Sequence, residues 1–160
     1  MKMFKQFYIF ITLLFLTSCG FSPMLKNVDL NDIKINKIDY LGPNGLTYYL
    51  KSNINIPLYK GPGDAYSLKI NIKESTNSVT KNSSGITTEE EIIITINFQI
   101  FNSKKIQIGS ETVSDSRVVS ITNNVSTDDE IKRIERENII TNISQQILFA
   151  TRAIIISNKE

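Results

Sequence analysis

Few side chains in these 160 residues have a type and spacing suited to chemistry. There is no histidine, which removes the Ser-His-Asp and Cys-His relays, the imidazole base and any histidine ligand for zinc or iron. The single cysteine, Cys19, excludes a thiolate cluster and an internal disulfide. Two acidic runs come nearest to an acid/base pair or a metal site: Glu89-Glu90-Glu91 and Asp128-Asp129-Glu130. Adjacent carboxylates on a strand point to opposite faces, which is poor geometry for a shared proton or ion in the first run. The second stands where carboxylates favour the start of a helix. Gly61-Pro62-Gly63 lacks the Lys-Ser/Thr pair and the following helix of a phosphate-cradling loop, and reads as a turn. The chain therefore reads as a non-enzyme with no metal or diffusible cofactor. Lys and Arg number 18 against 16 Asp and Glu, and the surplus is Lys2 and Lys5, so no bulk charge marks a nucleic-acid partner. The remaining basic residues matter for their placement: Lys81, the pair Lys104 and Lys105, and Lys132, Arg133 and Arg136. An exposed lysine is ordinarily a solvated charge, but charge-assisted bonds of this kind are what a phosphorylated glycolipid requires.

The N-terminus reads as an address. Lys2 and Lys5 precede residues 7–16, apolar but for one Thr, and the small residues Thr17 and Ser18 follow. Such a run is too short to span a bilayer, which takes roughly 20 residues. Leu16-Thr17-Ser18-Cys19 resembles the bacterial lipobox, which implies cleavage after residue 18 and a diacylglycerol thioether plus an acyl chain on Cys19. Each buried CH₂ of those chains would contribute about 0.8 kcal/mol to membrane attachment. Residue 20 is Gly rather than Asp, which by the same resemblance implies release to the outer membrane, lipid-anchored at its periplasmic face.

The rest of the chain must hold the basic residues in place. Residues 19–32 have little apolar period and read as a tether. Residues 33–40 alternate apolar and polar with a slip of phase between Ile35 and Ile38, the pattern of a bulged strand. After Gly42-Pro43-Asn44-Gly45, Leu46, Tyr49, Leu50 and Ile54 recur at helical spacing up to Pro57. Tyr66, Leu68, Ile70 and Ile72 form one half-buried strand, and Ile92, Ile94, Ile96, Phe98 and Ile100 a second. Thr76, Val79, Thr80, Ile86, Thr87 and Thr88 suggest that these arms run on through the polar stretch between them to a reversal at Asn82-Ser83-Ser84-Gly85. Lys81 would then sit at the tip of a hairpin longer than its core; the competing expectation for this stretch is a flexible surface loop. A turn at Asn102-Ser103-Lys104-Lys105 leads to a fourth strand ending near Ile121. Ser126-Thr127-Asp128-Asp129-Glu130 supplies an N-cap with a carboxylate three residues on. The helix it starts should carry Ile139, Ile140, Ile143, Ile147, Ala150 and Ile154 on one stripe. Lys132 and Arg136 fall on that stripe too, so its first turns are expected to overhang the sheet toward solvent or a partner. The fold expected is α+β: a four-stranded, mainly antiparallel sheet with two helices on one face, in the order β-α-β-β-β-α. The domain would span 33–160. Ile93, Thr95 and Phe101 on the opposite face suit a sheet partly covered by something else.

Cys19-Gly20-Phe21-Ser22-Pro23-Met24-Leu25 resembles the start of the mature LptE lipoproteins, above all their alphaproteobacterial form, which begins Cys-Gly-Phe-x-Pro-Leu-Tyr-Gly. Cys19, Gly20, Phe21 and Pro23 match, Met24 is a conservative change, and Leu25 and Lys26 replace Tyr and Gly. Chain length and the order of elements agree as well. The resemblance implies a plug and assembly partner inside the LptD outer-membrane β-barrel, serving lipopolysaccharide transport, and basic loop residues that meet lipopolysaccharide. By placement the first such candidate is Lys81, with Lys104 and Lys105 behind it. The competing expectation is a free-standing outer-membrane lipoprotein that binds a periplasmic protein or lipid as an adaptor.

Overall fold

The computed structural model describes residue 30 and residues 33–158. The signal segment 1–18, Cys19 and all of the tether except Leu30 lie outside the described residues. The elements are β1 (Ile35–Leu41), α1 (Asn44–Asn53), β2 (Tyr66–Lys81), β3 (Thr87–Phe101), β4 (Gln107–Ser120) and α2 (Val125–Ser157). They form one sheet in the order β1-β2-β3-β4. β2, β3 and β4 pair antiparallel, as short turns between strands require, while β1 pairs parallel to β2 because α1 lies between them as a crossover. The α+β order expected from the sequence is the order observed.

The slip of phase in β1 is a register shift between Ile35 and Lys37, which keeps Ile35, Ile38 and Tyr40 on the side of the core. β1 then breaks at Gly42, where φ is 141° and a Cβ would stand 2.6 Å from the Ile72 carbonyl oxygen. Only glycine fits both conditions. α1 buries Leu46 and Leu50. The hairpin of β2 and β3 pairs from Ser67 and Phe101 out to Lys81 and Thr87, with irregular register near Ser78 and Thr80. Its reversal and the β3–β4 turn use the same chemistry. Asn82 Oδ1 accepts from the N–H groups of Ser84 and Ile86, and Asn102 Oδ1 from those of Lys104 and Ile106, each at 3.0 Å. Gly85 takes the left-handed position in one turn (φ 79°) and Lys105 in the other (φ 60°).

Both helices cover one face. Ile92, Ile94, Ile96, Phe98 and Ile100 of β3 are fully buried beneath them, each contributing roughly 1.5–3 kcal/mol by transfer from water. Leu68, Ile70 and Ile72 of β2 and Ile139, Ile140, Ile143, Ile147 and Ile155 of α2 complete the centre of the core. Leu30 is also buried in it, and its carbonyl accepts from the Ile33 N–H.

Three details of α2 differ from the sequence reading. Its N-cap is Asn124, whose side chain accepts from the Thr127 N–H, two residues before Ser126. Its buried stripe ends in Thr151 and Ile155, with Ala150 and Ile154 only half buried beside it. Spacing alone does not decide between adjacent ridges of one helix; the position of β4 does. The first turns of α2 do not overhang into solvent: the long hairpin arms run beneath them, and Lys132 and Arg136 meet carboxylates there.

Candidate functional site

With the helices on one side, the other side of the sheet is left to solvent. Register places Asn71 and Ser75 of β2, Thr95 and Asn97 of β3, and Thr112 and Ser114 of β4 on this open face. Their side chains bond across the strands. Thr95 and Ser114 hydroxyls lie 3.0 Å apart, Asn97 Nδ2 donates to Thr112 Oγ1 at 2.9 Å, and Ser116 Oγ donates to Glu91 Oε1 at 2.8 Å. Ile93 and Phe101 are half buried among these neighbours. The face is a polar ladder of hydroxyls and amides with scattered charge, wettable without being a core surface.

The acidic runs are spent on structure. Glu90 faces the helices and pairs with Lys132 at 2.6 Å, while Glu91 points to the open face, as alternation requires. Glu74 meets Arg136 at 2.8 Å. Arg133 holds Glu130 at 2.7 Å, and its hydrogen bond keeps that carboxyl below the usual carboxylate range. Asp128 does more than favour the helix start: it turns back to accept from the Thr122 N–H at 2.8 Å and the Thr122 hydroxyl at 2.7 Å. Those two bonds lower its pKa, with the Asn123 N–H and the charge of Lys132 adding to the effect. Among the described residues no group of three His, Cys, Asp or Glu side chains is arranged to hold a metal ion. Lys132, Arg133 and Arg136, in the first half of α2, are thus engaged with carboxylates of the same chain.

The structure separates the lipopolysaccharide-contact candidates into two poles. Lys81 is exposed at the hairpin end, and Lys104 and Lys105 are exposed in the β3–β4 turn. β2 has 16 residues, so at ~3.3 Å per residue the poles stand about 50 Å apart. One headgroup cannot touch both. Lys105 shares a groove with Lys37, Asn36, Asn102 and Ser103, and Lys104 lines the adjoining one with Asp64 and Tyr66. Cys19, the lipidation candidate, lies outside the described residues.

Sequence reading missed a larger groove, about 580 Å³, between the edge strand β4 and α2. Glu111, Thr112 and Val113 form one wall, and Phe149, Ala150, Ala153 and Ile154 the other. Those α2 residues make a second apolar ridge beside the buried stripe, and that doubling was the available signal.

Residues 33–151 match the family described as LptE: Lipopolysaccharide-assembly. No curated protein matches the chain by sequence. Among solved structures, the fold is similar to that of rare lipoprotein B from Shewanella oneidensis, with a TM-score of 0.61 and 11% identity over 78% of this chain and 100% of that one. It is also similar to a minor lipoprotein from Acinetobacter baumannii, with a TM-score of 0.52 and 22% identity over 75% and 95% of the two chains. A lipoprotein from Caulobacter crescentus aligns with a TM-score of 0.53 and 12% identity over 77% and 91%.

Proposed function

Because the chain belongs to the LptE lipopolysaccharide-assembly family, we propose that it is a non-enzymatic outer-membrane lipoprotein, seated as a plug in an LptD-type β-barrel and assisting lipopolysaccharide delivery. The observation that carries this reading beyond the family is the open sheet face. A plug in a water-filled barrel must be rigid and wettable on the surfaces it turns to the lumen. One sheet face here is buried under two helices, and the other is a hydrogen-bonded ladder of hydroxyl and amide side chains. In this reading residues 1–18 are removed, Cys19 carries a diacylglycerol and an acyl chain, residues 19–32 form the tether, and residues 33–160 form the domain. No cofactor takes part.

Lys81 is the proposed lipopolysaccharide contact, since it is exposed at the hairpin end and Lys132, Arg133 and Arg136 at the same end are already engaged with carboxylates. Two experiments test the reading. Affinity purification of the C-terminally tagged chain from detergent-solubilised membranes should recover a stoichiometric large β-barrel that resists high salt. Recovery of the lipoprotein alone, or with soluble periplasmic proteins, would refute the plug and favour a free-standing adaptor. Lys81→Glu should weaken lipopolysaccharide binding while leaving the circular dichroism spectrum unchanged. Unaltered binding removes Lys81 from the site.

A further inference from the structure

The outer edge of β4 is guarded at one end and bare at the other. Pairing with β3 alternates along the strand: the Ile121 N–H donates to the Thr88 carbonyl at 2.8 Å, so the residues in phase with Ile121, from Val119 back to Gly109, turn their backbone groups toward β3. Ser110, Thr112, Ser114, Ser116 and Val118 turn theirs to the free edge. At Ser116 the neighbouring side chains occupy these groups. Its N–H donates to Asp115 Oδ1 at 2.8 Å, and its carbonyl accepts from Arg117 Nη1 at 2.9 Å. Among the described residues nothing does the same for Ser110, Thr112 and Ser114.

The opposite margin of the sheet carries the devices that keep edges from pairing. β1 is short, is bulged after Ile35 and bears the Lys37–Asp39 ion pair at 2.8 Å, and the Tyr59 N–H covers its Ile35 carbonyl at 2.7 Å. Where β2 outruns β1 it carries Lys73, Glu74 and Lys81 and loses regular register between Ser78 and Lys81. β4 from Gly109 to Ser114 has no lysine, no proline and no bulge.

The bare stretch also borders the groove of about 580 Å³ described above. Val113 faces the helices there, and Phe149, Ala150, Ala153 and Ile154 of α2 complete an apolar trough in which Phe149 stays 43% exposed. Glu111 faces the same way and has no ion pair among the described residues. On the other side of the strand Ser110, Thr112 and Ser114 are polar.

We propose that residues 110–114 of β4 pair with an extended segment of the enclosing β-barrel, which adds a fifth strand to the sheet. The proposal rests on the plug reading for the identity of the partner. Free backbone donors and acceptors along an edge accept any extended chain, and the flanking side chains choose which. The segment runs about five residues, or ~14 Å between its outer partners, and alternates. Residues turned to the helices are apolar against Phe149 and Ile154, with one Lys or Arg opposite Glu111. Residues turned to the open face are polar. The Asp115 and Arg117 caps on Ser116 end the pairing and set its register.

The test uses the full-length tagged chain, purified from detergent-solubilised membranes. Thr112→Pro removes an outward N–H, a change an edge strand accommodates, and should lower the barrel recovered per lipoprotein about tenfold. Val118→Pro makes the same change on the same edge beyond the Ser116 caps, and should leave recovery intact. Glu111→Lys, which breaks no ion pair within the described chain, should lower recovery about fivefold. Circular dichroism checks the fold of each variant. In the otherwise native chain, p-benzoylphenylalanine in place of Ser110 should crosslink to one barrel peptide of the stated pattern. Equal recovery with Thr112→Pro and Val118→Pro, or a crosslink to a second copy of this chain or to a soluble protein, would overturn the proposal while the recovered barrel upholds the plug. An unsubstituted chain that brings down no barrel refutes the plug, and the proposal with it.

Discussion

Gly109 gives the sharpest test of how α2 lies against the sheet. It sits in the edge strand β4, opposite Ile100, where a Cβ would stand 2.5 Å from Ile154 Cγ2 and 3.2 Å from its Cδ1. Non-bonded carbons prefer about 3.5–4.0 Å, so Gly109→Ala requires Ile154, and the last turns of α2 with it, to give by about 1 Å. Overpacking of that size typically costs about 1–3 kcal/mol. Against it, replacing glycine in a strand interior recovers roughly 0.5–1 kcal/mol of backbone entropy. The expected net loss is about 1–2 kcal/mol, equivalent to a fall in Tm of some 3–8 °C for a domain of this size. Ile154→Ala removes the colliding methyl. In that background Gly109→Ala should become neutral or slightly stabilising, giving a coupling of about 1–3 kcal/mol between the two sites. Urea unfolding followed by circular dichroism at 222 nm measures all four corners of the cycle. A neutral single variant, or a loss that persists in the Ile154→Ala background, would show that α2 does not cross β4 at Gly109. The groove built from Glu111, Phe149 and Ile154 would then be wrong as well.

Two further outcomes follow from the polar contacts. Glu74 and Arg136 keep only 20% and 29% of their side-chain surface exposed, and a double-mutant cycle with Glu74→Gln and Arg136→Gln should give a coupling of about 1 kcal/mol by urea denaturation; zero coupling would mean that the first turns of α2 are not clamped to β2. Asp128 has a folded-state pKa below its unfolded value because Thr122 donates to the carboxylate twice, so its contribution is present above the ordinary aspartate range and is lost as pH falls through the depressed folded value. Asp128→Asn should flatten that acid limb of the stability curve; a limb unchanged by the substitution would assign the acid sensitivity to other carboxylates.

The local elements were legible because their periods are strong and local. Five alternating large residues from Ile92 to Ile100 make a half-buried strand in almost any context, and Asn-Ser-Ser-Gly-Ile makes a turn because the Asn side chain caps its own backbone. The bulge in β1 was visible as a one-residue slip of phase, since one extra residue on a strand must move the apolar set to the other face. The signal and lipobox patterns proposed at the N-terminus are linear and need no fold, so that reading rests on the sequence alone.

What only the tertiary structure decided concerns which of several equally good surfaces meet. The spacing of α2 allows its buried ridge to end in either Ala150 and Ile154 or Thr151 and Ile155, and the placement of β4 selects the second. The same spacing placed Lys132 and Arg136 toward the sheet, but whether solvent or carboxylate awaited them depended on how far the hairpin arms ran beneath the helix. Ser126 and Asn124 are both competent caps, and the choice fell to Asn124 as Asp128 turned back to bind Thr122. Nor does spacing along the chain separate Lys81 from Lys104 and Lys105; the antiparallel pairing of β2 with β3 does, by sending one turn to each end of the sheet. Periodicity along a chain is a property of neighbours a few residues apart, and sequence carries it; the meeting of surfaces is a contest among distant segments for the same core, and only the folded chain resolves it.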